Sequence, residues 1–98
     1  MEVDHDDPAL ERLERDRTFT GGWGGPVVKG FRKVMQAIRA AVDERDLYAL
    51  KGLRFEKLVG KRQGQHSLRI NDQWRLIVEI RGVAPRKQMG VIEIADYH

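Results

Sequence analysis

An α+β fold is predicted, with N-terminal helices packed on a small antiparallel sheet, and three observations predict it. Apolar residues in the first half recur at three- and four-residue spacing, the period of a helix. Three runs in the second half alternate apolar and polar residues, the period of a strand. The two patterns are segregated along the chain rather than interleaved, which favours α+β over a parallel α/β sheet. At 98 residues the length corresponds to one domain spanning 1–98. A chain of this size can bury roughly two thirds of its unfolded surface in one modest core.

The elements follow in order. Glu2–His5 carries a single apolar residue, Val3, too little to decide for or against a strand. Asp7-Pro8 starts a helix, with Asp7 as N-cap and Pro8 in the first turn, and the helix runs over 8–16 with Leu10 and Leu13 on one side. Thr18–Pro26, TFTGGWGGP, has four glycines and a proline and is expected to be a loop, with Trp23 anchored on the core. Val27, Val28, Phe31, Val34, Met35, Ile38, Ala41 and Val42 form one face of an amphipathic helix placed at 27–46. Leu47, Tyr48 and Leu50 are expected to pack just beyond it. His66–Ile70 is a strand with Leu68 and Ile70 on one face, and Asn71-Asp72-Gln73 is turn chemistry. Trp74–Arg81 alternates with Leu76, Val78 and Ile80 on one side and Arg75, Ile77, Glu79 and Arg81 on the other. Gly82–Gly90 reads as a polar loop, and Val91–Ala95 as the last strand.

The charge is unevenly spread. Residues 1–16 hold seven acids and two bases, and residues 17–98 hold 16 bases and eight acids. The cationic body points to phosphate or another polyanion as a partner. Without cysteine there is no disulfide framework and no thiolate metal site. No apolar run approaches the ~18 residues of a membrane span, and the acidic start does not read as a signal or transit peptide. These features lead to the expectation of a cytoplasmic protein.

Familiar catalytic signatures are missing. Gly60–Gly64 is too short for a phosphate-binding glycine loop, the three histidines lack a metal-ligand spacing, and Ser67 sits in a strand without a nucleophile elbow. Neither cofactor nor metal is expected. What remains is a set of bases, Lys57, Lys61, Arg62, Arg69 and Arg75, on consecutive elements, and a closing Asp96-Tyr97-His98. RNA cleavage needs little more. A base takes the ribose 2′-OH proton, cations stabilise the charge developing on phosphorus, and an acid protonates the leaving 5′-oxygen. Histidine can serve either proton role near neutral pH, and arginine grips two phosphate oxygens at once.

The run GKRQGQHSLRINDQWRLIVEI (Gly60–Ile80), followed by VIEIADYH (Val91–His98), resembles the HigB toxins, the host-inhibition branch of the RelE/ParE superfamily of toxin–antitoxin systems. The likeness is close over the last half of the chain and is one of pattern only over the helices. It implies a RelE-like, microbial-ribonuclease-type fold. The implied activity is that of a ribosome-dependent messenger-RNA endonuclease that inhibits translation, leaving 2′,3′-cyclic phosphate and 5′-hydroxyl ends. A HigA-like helix-turn-helix antitoxin is the implied partner, with operator DNA bound only through the toxin–antitoxin complex. The resemblance assigns function to Asp96, Tyr97 and His98, carries catalytic cations onto Lys57 and Arg75, and gives RNA contacts to Arg62 and Arg69, with Arg54 and Lys61 beside them. Some relatives have a histidine just upstream of the lysine, where this chain has Arg54. Proton transfer would then fall to His98 with Tyr97, or to Glu56. Two other readings are a ParE-like DNA gyrase poison without nuclease chemistry and a degraded toxin kept as a binding subunit.

Overall fold

A computed structural model of the chain describes residues 1–97. The alternating runs pair as antiparallel neighbours. Strand β3 (His66–Arg69) joins β4 (Trp74–Arg81), and β4 joins β5 (Gln88–Asp96), with the two-residue β2 (Glu56–Lys57) on the outer edge of β3. The expected bounds of β4 are those observed. β5 begins three residues earlier than the alternation indicated, because Gln88, Met89 and Gly90 continue the ladder opposite Arg81, Ile80 and Glu79. Ile77 pairs with Glu93 and Val78 with Val91, so Ile92 is an extra residue that bends β5 as a bulge does.

The acidic start is a strand. β1 (Glu2–His5) runs parallel to β5, completing the order β1-β5-β4-β3-β2. The sheet is therefore mixed rather than antiparallel, and one strand precedes the helices. A four-residue edge strand with one apolar side chain lacks the alternation that marks a strand in sequence. Side chains reinforce its backbone pairing with β5. The Arg81 guanidinium lies across Gly90, where an added Cβ would come within 2.3 Å of it. There it meets Asp4 and Asp6, each at 2.8 Å. Hydrogen bonds from Arg81 hold the Asp6 carboxyl below the usual carboxylate range.

Helix α1 (Pro8–Arg15) is capped as expected, Asp7 accepting from the Ala9 amide at 2.9 Å. The second helix differs from expectation at both ends. α2 covers Gly25–Ala40, so Gly25 and Pro26 form its first turn rather than a loop; the missing proline N–H costs nothing there. The apolar period continues past Ala40, but the chain breaks at Ala41–Asp43 and restarts as α3 (Glu44–Ala49). Asp43 caps the new helix through the Arg45 amide and Asp46 takes the Val42 amide. Short polar side chains that bond nearby amides compete with helix continuation in this way. No helix among the described residues is long and apolar enough to cross a membrane.

One face of the sheet is covered by the helices. Phe31, Met35 and Ile38 of α2, with Leu13 and Leu47, pack on Leu68, Leu76, Val78, Met89 and Val91, all essentially buried. Gly30 lets α2 approach the end of β3, since a Cβ there would lie 2.7 Å from the Ile70 carbonyl oxygen. Trp23 is the expected anchor, partly buried and edge-on to Trp74 at 5.1 Å. Tyr48 and Leu50 remain about half exposed.

Between α1, α2 and β1, Glu14 accepts from Arg39 Nε and Nη2 at 2.6 and 2.9 Å and lies 2.9 Å from His5 Nε2. The Arg39 bonds lead in pulling the Glu14 carboxyl below its ordinary value. A depressed carboxylate stabilises the fold above its unfolded value and loses that contribution as the pH falls. Glu14→Gln is therefore expected to destabilise the protein by about 1–2 kcal/mol at pH 7 and to flatten the loss of stability below about pH 4.5. Urea titrations at pH 3 and pH 7 measure both effects.

Candidate RNA-binding and cleavage site

The uncovered face of the sheet carries the residues that alternation turned away from the core. Arg69 pairs with Arg75 across β3 and β4 and Arg75 with Ala95 across β4 and β5, whereas the next pair, Trp74 with Asp96, alternates to the helix-covered side at the end of the sheet. Like charges directly opposite one another are unfavourable, and the turn between β3 and β4 offsets this pair. Asn71 Oδ1 accepts from the Gln73 and Trp74 amides at 2.9 and 2.8 Å, fixing the turn, while its carbonyl takes Arg75 Nη1 at 2.5 Å. Asp72 bonds Arg69 at 2.5 Å. Gln73 accepts the Tyr97 amide at 2.7 Å and donates its side-chain amide to Asp96 Oδ2 at 3.3 Å.

Arg75 is only 9% exposed and its guanidinium lies over the Tyr97 ring at 3.9 Å from the centroid. That stacking holds the fork flat. One nitrogen is committed to the backbone, whereas Nε and Nη2 make no bond within the described residues. Tyr97 itself is 54% exposed. The arrangement is a preoriented pair of donors beside an accessible aromatic ring, suited to a phosphate next to a base.

Asp72 reports how the cations converge. Its carboxyl is held below the usual range first by the Arg69 hydrogen bond and charge, then by Arg75 and Arg54. Arg54 has a left-handed backbone, φ 46°, a conformation that costs a non-glycine residue free energy. It is exposed at the end of the turn at Lys51–Leu53. Asp72, fully exposed, competes with any anion for Arg69. Asp72→Asn is expected to tighten binding of a short single-stranded RNA severalfold and to steepen its salt dependence; fluorescence anisotropy at two salt concentrations measures it.

Other expected residues stand apart. Arg62 is on the turn at Gly60–Arg62 and bonds Glu93 at 3.2 Å and Gln65 Oε1 at 3.1 Å, with Lys61 exposed beside it. Lys57 pairs with His66, and Glu56 with Ser67. By the alternation of the ladder, Lys57 and Arg75 therefore belong to opposite faces of the sheet, and the structure does not bring them together. His98 lies outside the described residues. Among those described, no three His, Asp or Glu side chains gather as a metal ion would require.

Two groups escaped the sequence reading. The turn residues Asn71 and Gln73 position Arg75 and the 96–97 segment, although their sequence signal was read only as a turn. His66 is buried, stacked on Phe55 at 4.6 Å with 7° between the rings. Burial above all, and then the Lys57 charge, lowers its pKa against an opposing pull from Glu44. Near neutral pH it is an uncharged core residue that fixes the edge of β3.

A search of the solved structures finds the "YoeB/ParE toxin from Agrobacterium tumefaciens" with a TM-score of 0.64 and 17% identity, covering 100% of both chains. At that identity the likeness is one of fold. No curated protein matches the sequence. The family model for HigB-like toxins, described as the "RelE-like toxin of type II toxin-antitoxin system HigB", matches residues 6–98. That match does not favour the ParE-like alternative. With nearly the whole sequence matched, this chain belongs to the HigB-like family of RelE-like toxins of type II toxin–antitoxin systems.

Proposed function

We propose that the protein is a ribosome-dependent messenger-RNA endonuclease acting in the cytoplasm, and that residues 1–98 form one toxin domain. The observation that carries this reading is the Arg75 fork, stacked on Tyr97 with two nitrogens making no bond among the described residues, beside Arg69 on the open face of the sheet, with Asp96 next to Tyr97 at the end of β5. In the proposed reaction the 2′-oxygen loses its proton to a general base and attacks phosphorus. The bond from phosphorus to the 5′-oxygen breaks as that oxygen gains a proton, leaving a 2′,3′-cyclic phosphate and a 5′-hydroxyl. His98 supplies one proton transfer and Asp96 orients it, or a substrate hydroxyl. Tyr97 stacks on a base and Arg75 stabilises the charge on phosphorus. Arg54, Lys61, Arg62 and Arg69 hold neighbouring phosphates, and Lys57 serves the strand at the sheet edge.

The family implies an antitoxin partner. We take it to be HigA-like, with a helix-turn-helix domain through which the complex reaches operator DNA; the other partners are the ribosome and its message. Mapping 5′ ends on a translated transcript after brief induction tests the reading. New 5′-hydroxyl ends inside the reading frame are expected with the wild type and are lost with His98→Ala. Growth arrest without new ends would overturn the nuclease reading and favour a gyrase poison.

A further inference from the structure

The proposed reaction needs two proton transfers, and only one of them has been given to a residue, His98. The register of the sheet narrows the choice for the other. Of the carboxylates around the cationic residues, Asp96 alternates with Trp74 to the helix-covered side, and Asp72 sits in the turn, held by Arg69. Glu56 and Glu93 both belong to the open face. They end one row of the ladder, in which Glu56 lies opposite Ser67, Ser67 opposite Ile77, and Ile77 opposite Glu93. The row of Arg69, Arg75 and Ala95 adjoins it, two residues away on each strand, or about 7 Å. Glu56 is on β2, two strands from Arg75. Glu93 is on β5, the neighbouring strand, and diagonal to Arg75. Diagonal neighbours on one face lie about 7–8 Å apart, within reach of long side chains. The Arg75 fork also leans toward β5, over the Tyr97 ring that follows it.

Glu93 is held by a contact that RNA itself can undo. Its carboxylate pairs with the Arg62 guanidinium at 3.2 Å, and Arg62 also donates to Gln65 Oε1 at 3.1 Å. To reach β5, Arg62 crosses β3 and β4 from the turn that follows β2. Ser67 and Ile77 lie in the row it crosses and are each 4% exposed, although the helices cover only the other side. Both members of the ion pair are themselves nearly half exposed, and an ion pair so open to water is weak. A phosphate arriving on this face can therefore draw Arg62 to itself, and the carboxylate left behind faces the RNA.

We propose that Glu93 is the general base of the cleavage reaction, released when Arg62 moves from its carboxylate to a phosphate of the message. The inference rests on the nuclease reading and completes its proton transfers. Glu93 takes the proton of the 2′-OH and becomes a carboxylic acid as the 2′-oxygen forms its bond to phosphorus. Arg75 stabilises the charge that builds there. The bond to the 5′-oxygen breaks, and that oxygen takes its proton from His98. Glu93 then gives its proton to solvent and His98 regains one, which restores the site. Until a message arrives, Arg62 occupies the carboxylate and keeps the base out of use.

Single-turnover cleavage of a message on ribosomes tests the proposal. Glu93→Gln keeps the shape of the side chain and is expected to slow the cleavage step about 10²–10⁴-fold, the usual contribution of one general base. Message binding should be unchanged or tighter. Glu93→Ala is expected to regain part of its rate in added formate, a carboxylate small enough to enter the vacated position. Arg62→Ala is expected to weaken binding and reduce its salt dependence, and to slow the cleavage step far less than Glu93→Gln. A message with sulfur in place of the bridging 5′-oxygen has a leaving group that needs no proton. It is expected to restore cleavage by His98→Ala and not by Glu93→Gln. Equal losses in Glu93→Gln and Arg62→Ala would overturn the proposal, making Glu93 only an anchor for Arg62. Rescue of Glu93→Gln by the sulfur message would also overturn it, since Glu93 would then be acting as the acid. A wild type that leaves no new 5′-hydroxyl ends would defeat the nuclease reading itself, whereas wild-type cleavage fully retained by Glu93→Gln would defeat this inference alone.

Discussion

Arg75→Ala is expected to lower message cleavage about 10²–10³-fold, the usual cost of removing one preorganised donor at a developing charge. The cations named with it are engaged or turned away. Arg69 is held by Asp72, Arg62 by Glu93, and Lys57 belongs to the opposite face of the sheet. The substitution also removes bonds to the Asn71 and Trp74 carbonyls, costing about 1–2 kcal/mol of stability, which a melting curve separates from the loss of rate. Arg75→Lys is the sharper variant. It keeps the charge but lacks the planar fork and stacks poorly on Tyr97, so its rate is expected to fall between those of the wild type and the alanine variant. Full cleavage by Arg75→Ala would remove this residue from the chemistry.

Phe31→Ala is expected to destabilise the fold by about 3–5 kcal/mol. The ring is completely buried between α2 and the sheet. The cavity left behind cannot collapse easily, because close packing at Gly30 already fixes the distance between helix and sheet. Since domains of this kind are stable by only about 5–15 kcal/mol, the loss is a large fraction of the total. Urea unfolding should show a lower midpoint with an unchanged slope. A lower slope would mean that the denatured state, and not only the core, had changed.

The strongly periodic elements were legible before any coordinates. Trp74–Arg81 alternates without interruption, and Asp7-Pro8 carries both a cap and a helix-compatible proline. What escaped was decided by partners distant in the chain. β1 is a strand because β5 offers it an edge and Arg81 holds Asp4 and Asp6, and neither fact is local to Glu2–His5. The break at Ala41–Asp43 follows from competing hydrogen bonds by Asp43 and Asp46, which apolar spacing ignores. In the candidate site, the grouping of Arg69 and Arg75 with Tyr97 depends on register, and so does the alternation of Lys57 and Asp96 to the other face. A one-residue change of register would exchange the faces, so residue types alone could nominate these side chains but could not sort them.

The parallel pairing of β1 with β5 has a consequence for the birth of the protein. Glu2 sits opposite Gln88, and Trp74 opposite Asp96, so the first strand made must wait for the last, and the stacked Arg75–Tyr97 pair waits with it. During synthesis the helices and the β3–β4 hairpin can form behind the advancing ribosome from short-range contacts. The surface proposed to act on RNA cannot close until the final strand has emerged. A chain still being translated therefore carries its cationic residues without the register that arms them, and acquires that register only once residues 88–97 are free to pair.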